Sequence, residues 1–292
     1  MESLLLYVPA FLFGAVTGSF LNVCIHRLPR GFLLHWPPSH CPFCSEPIRW
    51  YDNVPIVSYL ALGRRCRACG VRISPRYALV EGLTGGLFVY LVWRLAGGPS
   101  PDFVRLGIYT AVATALVAAS FVDFEFRIIP DEISVPGAVL AVVASVAWPW
   151  LHDLGEPVLV GSLAGLLGLV PSAHPRLCGL VACLVGMGLG AGIIWALGVV
   201  GRAVFRKEAM GFGDVKLMAF VGGFLGWQRA LLAILLGAFA GAAVGLVLLF
   251  RSRDTRMPFG PYLSLGALGA MLHAEDIGAL FERFSSALQA GP

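Results

Sequence analysis

Charged side chains are scarce in this sequence. Asp, Glu, Lys and Arg together supply 13% of its 292 residues, about half the share of an ordinary soluble domain. That shortage excludes a water-soluble globule, because 58% hydrophobic residues at a mean hydropathy of +0.80 leave more apolar surface than such a fold can hide. The 36 glycines follow no three-residue period, which excludes a collagen-like rod. The apolar content equally excludes a disordered chain. No basic residue precedes the first apolar run; Glu2 stands there, and the arginines follow. This reverses the charge order of a signal peptide, so the run is expected to stay as a membrane span. What is left is an all-α polytopic membrane protein.

A bilayer core of ~30 Å takes about 20 apolar residues per helix. Candidate spans fall at 4–25, 78–96, 104–122, 133–151, 177–201, 215–226, 229–250 and 259–273, about eight in all. A further apolar run at 158–171 holds only 14 residues. It reads as a re-entrant or interfacial segment, or as a helix broken at Pro171. Residues 26–77 carry eight arginines against Glu46 and Asp52, about +6, while the rest of the chain sums to about −2. Such a basic segment can bind nucleic acid, but beside a membrane span it reads as a topology determinant. Eight spans put this segment and the connections 123–132, 202–216 and 251–256 on one side, which the positive-inside rule makes cytoplasmic. Asp102 and the acidic tail with Glu275, Asp276 and Glu282 face the other side, together with the N-terminus.

Four of the seven cysteines form Cys41-Pro-Phe-Cys44 and Cys66-Arg-Ala-Cys69, with 21 residues between the two knuckles. This is the spacing of a four-thiolate zinc site, and Arg64, Arg65 and Arg67 favour the thiolate form. Two disulfides are the alternative, which a reducing cytoplasm disfavours. Four cysteines close the coordination sphere, so the zinc is structural, and a segment with so small a core needs such a staple. His35 and His40 lie nearby as spare donors but read as surface residues. Cys24, Cys178 and Cys183 read as small hydrophobes.

Ionisable residues at membrane depth mark function by default. Asp123 ends the third span, and Asp214 opens the sixth within Met210-Gly-Phe-Gly-Asp-Val-Lys216. Both are expected at the cytoplasmic boundary. Two carboxylates that share a proton can hydrolyse a peptide, because like charges held close cannot both ionise. Gly211 and Gly213 allow a substrate backbone to approach. The plain readings stand beside this one: Asp214 or Asp131 as a helix N-cap, with capping preferred for Asp131, Glu125 and Glu132 as solvated loop charges, and Lys216 as a counter-charge near Asp214.

These residues carry a resemblance. The chain is similar to the type IV prepilin peptidases, bacterial inner-membrane aspartic proteases of the GxGD class. The likeness rests on Gly18-Ser-Phe-Leu-Asn-Val-Cys-Ile-His-Arg-Leu-Pro29, Asp52-Asn-Val-Pro-Ile-Val-Ser-Tyr-Leu60, Ile73-Ser-Pro-Arg-Tyr-Ala-Leu-Val-Glu81, Gly211-Phe-Gly-Asp-Val-Lys216 and Pro258-Phe-Gly-Pro-Tyr262, in that order. The resemblance implies removal of the basic leader from type IV prepilins and type II secretion pseudopilins, which are recognised through their N-terminal helices. It implies cleavage after a glycine, usually exposing a phenylalanine, and then N-methylation with S-adenosylmethionine. It sets the two catalytic aspartates on Asp123 and Asp214, and the zinc ligands on Cys41, Cys44, Cys66 and Cys69. It also implies a periplasmic N-terminus and an active site facing the cytoplasm.

The expected organisation is a first helix at 1–25, a zinc-binding domain at 26–77, a catalytic bundle at 78–274 and a periplasmic tail at 275–292. No methyl-donor residues are assigned. Gly186-Met-Gly-Leu-Gly190 lies in an apolar helix with no preceding strand, so helix packing accounts for it. The competing classes are a peptidase without methyl transfer, a proton- or ion-coupled transporter, for which no inverted repeat is found, and a zinc-bearing assembly scaffold, which leaves the two aspartates unexplained. No nucleic-acid partner is expected.

Overall fold

The computed structural model describes residues 2–96, 102–152, 169–170, 172–206, 210–251 and 257–289. The apolar run at 158–171 lies almost wholly outside them, as do 207–209 and 252–256 of the basic connections. The described residues are helical apart from loops and two isolated β-bridges. The chain divides into two units, Met1–Pro130 and Asp131–Pro292.

The first unit holds α1 (Glu2–Arg27), the short α2 (Val57–Ala61), α3 (Arg76–Ala96) and α4 (Phe103–Phe126). Helices α1 and α3 pack backbone to backbone: a Cβ added at Gly18 would stand 2.7 Å from the Glu81 Cα. Small residues supply this contact where the solvent is lipid, since apolar burial alone gives no preference for protein over acyl chains. Asp102 starts α4 by accepting the Arg105 N–H at 2.9 Å, a standard N-cap. Arg127 stops it in the left-handed region (φ 57°), with its N–H on the Asp123 carbonyl.

The second unit holds α5 (Asp131–Ala147), α6 (Pro175–Phe205), α7 (Phe212–Arg251) and α8 (Gly260–Gln289). A 3-10 turn at Pro149–His152 folds back on α5, where His152 Nε2 meets the Ser145 hydroxyl at 2.7 Å. Gly186 of α6 presses on α7 so closely that a Cβ there would come within 2.1 Å of the Gly222 carbonyl. The spans expected at 215–226 and 229–250 are the two helical stretches of α7, separated by a non-helical break at Gly226 (φ 76°, ψ 172°), a conformation open to glycine. The tail expected from residue 275 continues α8 as far as Gln289. Among the described residues, seven long helical elements, one of them broken in two at Gly226, thus stand for about eight expected spans. Five of them, α1, α3, α4, α6 and α7, are long and apolar enough to cross a bilayer.

Candidate functional site

The segment between α1 and α3 is built from two matching knuckles. In the first, the Cys41 N–H donates to the Glu46 carbonyl and Ser45 adopts φ 58°. In the second, Cys66 pairs with Val71 and Gly70 adopts φ 70°. The left-handed residue after each second cysteine turns the chain so that both sulfurs point the same way. The Sγ atoms of Cys41, Cys44, Cys66 and Cys69 all lie within 4.8 Å of one another, with Cys41 and Cys69 at 3.9 Å. Thiolates ~2.3 Å from a tetrahedral zinc stand ~3.8 Å apart, so the cluster can hold a metal ion of that kind. Backbone N–H groups of Cys69 and Ala68 aim at the Cys66 sulfur and bring its thiol down to about 7. At Cys44 a backbone bond involving Glu46 favours the thiolate, but desolvation and the three neighbouring sulfurs outweigh it and push the thiol up to about 12. His40 bonds the Pro38 carbonyl, and neither it nor His35 belongs to the cluster.

Three anchors tie the knuckles down. Buried Arg27, the last residue of α1, donates to the carbonyls of Leu33, Leu34 and Pro37. Arg67 grips Asp52 through two parallel bonds of 2.9 and 2.7 Å, and its guanidinium holds the Asp52 carboxyl below the usual range. Glu81, buried on α3, accepts the Ile56 N–H at 2.7 Å. Ile56 sits at φ 62°, ψ −48°, flanked by a Val57 N–H to Pro55 carbonyl bond of 2.6 Å. That is the rare γ-turn, strained for a β-branched residue. The sequence reading passed over Glu81, although a carboxylate inside an apolar span was a signal that could have found it.

Asp123 lies in the last turn of α4 and is 6% exposed. It belongs to the first unit, where the next carboxylate along, Glu125, pairs with Arg76 of α3 instead of resting in solvent. Asp214 lies in the first turn of α7, in the second unit, and is 8% exposed. Its Oδ2 accepts the Gly211 N–H at 3.2 Å, so the Gly-Phe-Gly turn folds back onto its own aspartate. The Lys216 ammonium donates to both oxygens of Asp131, at 2.7 and 2.8 Å. Asp131 thereby fastens the start of α5 to the start of α7. Carboxylates buried at helix ends can move protons, and the thiolate cluster can carry a closed metal site.

Comparison with known proteins agrees along the chain. Residues 12–95 match the bacterial peptidase A24 N-terminal domain, and residues 110–246 match the type IV leader peptidase family. A prepilin leader peptidase/N-methyltransferase of Stutzerimonas stutzeri is 32% identical, over 94% of this chain and 93% of its own length. That of Aeromonas hydrophila is 33% identical, over 91% and 90%, and that of Klebsiella pneumoniae 36%, over 78% and 89%. No solved structure matches the chain significantly.

Proposed function

The chain belongs to the type IV leader peptidase family, and on that footing we propose how its residues divide the work. The activity is removal of the leader from prepilins, followed by N-methylation of the new N-terminus. The chain is a multi-pass inner-membrane protein. The observation that carries the assignment of chemistry is that Asp123 and Asp214 are both buried at helix ends, and both fall within the matched residues 110–246.

In the proposed reaction one of the two carboxylates is ionised and the other protonated. The ionised one takes a proton from water as the water oxygen attacks the scissile carbonyl carbon. The protonated one donates a hydrogen bond to the oxygen that gains charge. Collapse of the tetrahedral intermediate breaks the C–N bond. The proton gained by the first carboxylate goes to the departing amine, and the leader leaves as a carboxylic acid. The bond from the Gly211 N–H steadies the Asp214 carboxylate.

Cys41, Cys44, Cys66 and Cys69 would hold zinc as a structural staple of segment 26–77. Residues 78–274 form the catalytic bundle and 275–292 the tail. S-adenosylmethionine supplies the methyl group when bound. The substrates are type IV prepilins and pseudopilins, which enter through their N-terminal helices from the bilayer. Cleavage faces the cytoplasm and the N-terminus the periplasm, which the arginine-rich segment supports.

The test incubates purified protein with a prepilin and labelled S-adenosylmethionine, and reads both products by mass spectrometry. Asp123→Asn and Asp214→Asn are expected to lose cleavage by about 10²–10⁴-fold while staying folded in the membrane. Normal processing by either variant overturns the assignment. Cleavage by the wild type without label incorporation removes only the methylation half.

A further inference from the structure

The arginines around the second knuckle form more than a diffuse charge. Arg65 and Arg72 face each other across an antiparallel bridge. The flanking bonds run from the Cys66 N–H to the Val71 carbonyl and from the Ile73 N–H to the Arg64 carbonyl. The arginines are therefore the pair without mutual backbone bonds, the register that brings side chains closest, with Cβ atoms ~4.5–5.5 Å apart on one face. Like charges placed opposite each other destabilise such a pair. Both residues are exposed. Among the described residues no ion pair joins either to a carboxylate: Asp52 is taken by Arg67 and Glu125 by Arg76, and Glu46, which lines the same cavity, is exposed.

A filled zinc site offsets only part of this charge. Four thiolates on one divalent ion leave −2, against about +6 for residues 26–77, so about +4 remains. Arg65 and Arg72 line a cavity of about 2200 Å³. Part of its wall is made by His26 and Arg30 at the end of α1, Arg76 at the start of α3 and Phe124 near the end of α4. The cavity thus reaches the ends of the apolar helices. The same segment exposes Trp36 (66%) and Trp50 (82%), a ring type that favours the headgroup layer.

We propose that Arg65 and Arg72 clamp a phosphate group, supplied by the headgroup of an anionic lipid drawn into this cavity. Two planar guanidinium forks held side by side suit phosphate oxygens, and basic pockets at helix ends are where such headgroups bind. The acid-free pairing across the bridge is then explained, because the missing counter-charge comes from the bilayer.

The experiment places full-length protein in phosphatidylcholine nanodiscs that contain a minority of phosphatidylglycerol, and counts retained lipids by native mass spectrometry. The wild type is expected to prefer phosphatidylglycerol about tenfold, and R65Q/R72Q to lose that preference. R65K/R72K, which keeps the charge without the fork, keeps part of it. Arg94→Gln, at the other end of α3, keeps all of it. Zinc content and thermal unfolding are recorded for each variant; should R65Q/R72Q fail to fold, the lysine variant decides. Binding of glycerol phosphate to protein in pure phosphatidylcholine, without any lipid preference, would reassign the clamp to a soluble phosphate. Equal retention of phosphatidylglycerol by wild type and R65Q/R72Q overturns the proposal. So does capture of a polyglutamate peptide in place of the lipid.

Discussion

Glu81 illustrates how a single carboxylate can fix a loop it is remote from in sequence. Its oxygen takes the N–H of Ile56, 25 residues away, at the one point where the loop adopts a conformation costly for isoleucine. The carboxylate lies in α3, behind the closely packed α1 backbone at Gly18. It therefore transmits the helix position to the turn and holds the strain there. Glu81→Leu leaves that N–H without its acceptor, at a cost of about 1–3 kcal/mol. Thermal unfolding of the purified protein should fall accordingly, with faster proteolysis near residue 56. Glu81→Gln keeps a neutral acceptor and should lose less. Equal melting of all three proteins would show that the turn stands without the carboxylate. A carboxylate inside an apolar span marks Glu81 in the sequence, but its bond to Ile56 is not legible there, because a hydrogen bond across 25 residues leaves no local pattern. The cysteine knuckles were readable, because their spacing is the geometry.

At the scale of helices, hydropathy located the apolar spans well and the end of the last one poorly. A window average sees composition, not direction. The weak point between the expected spans at 215–226 and 229–250 is real: the helical backbone is interrupted at Gly226, whose φ 76°, ψ 172° splits α7 in two. The acidic tail expected from residue 275 begins where charges end the apolar run, yet α8 continues through it as far as Gln289; a helix needs no lipid once its backbone is bonded within itself. The glycines of α6 make a sharper contrast. Gly186 has the Gly222 carbonyl where a Cβ would go, whereas Gly188 has nothing within 4 Å. Gly186→Ala is therefore expected to destabilise the protein by about 1–3 kcal/mol, since backbone must move to make room. Gly188→Ala, two residues along the same helix, should be neutral or slightly stabilising through helix propensity. Thermal unfolding in detergent compares them directly, and a similar loss at both positions would mean that the α6–α7 seam does not depend on close contact.

For the whole molecule, the question is how far the zinc segment and the helices depend on one another. The segment is held from outside by Arg27 and Glu81, and from inside by the Asp52–Arg67 pair and four sulfurs. Its own core is small: among its residues between Gly31 and Pro75, only Cys41 and Ser58 are buried. Such a segment draws its order from ligand bonds more than from apolar burial. The long helices bury their own core and form their backbone bonds internally. Metal analysis should find about one zinc per chain. Cys41→Ser together with Cys66→Ser should release it. Hydrogen exchange is then expected to lose protection across residues 31–75 alone, while far-UV circular dichroism stays nearly unchanged, because little of the helix content lies there. Exchange rising together in α3, α4 and the second unit would mean that the zinc segment carries the fold of the bundle. Zinc loss without any rise in exchange would mean that Arg27, Glu81 and the Asp52–Arg67 pair hold the loop by themselves.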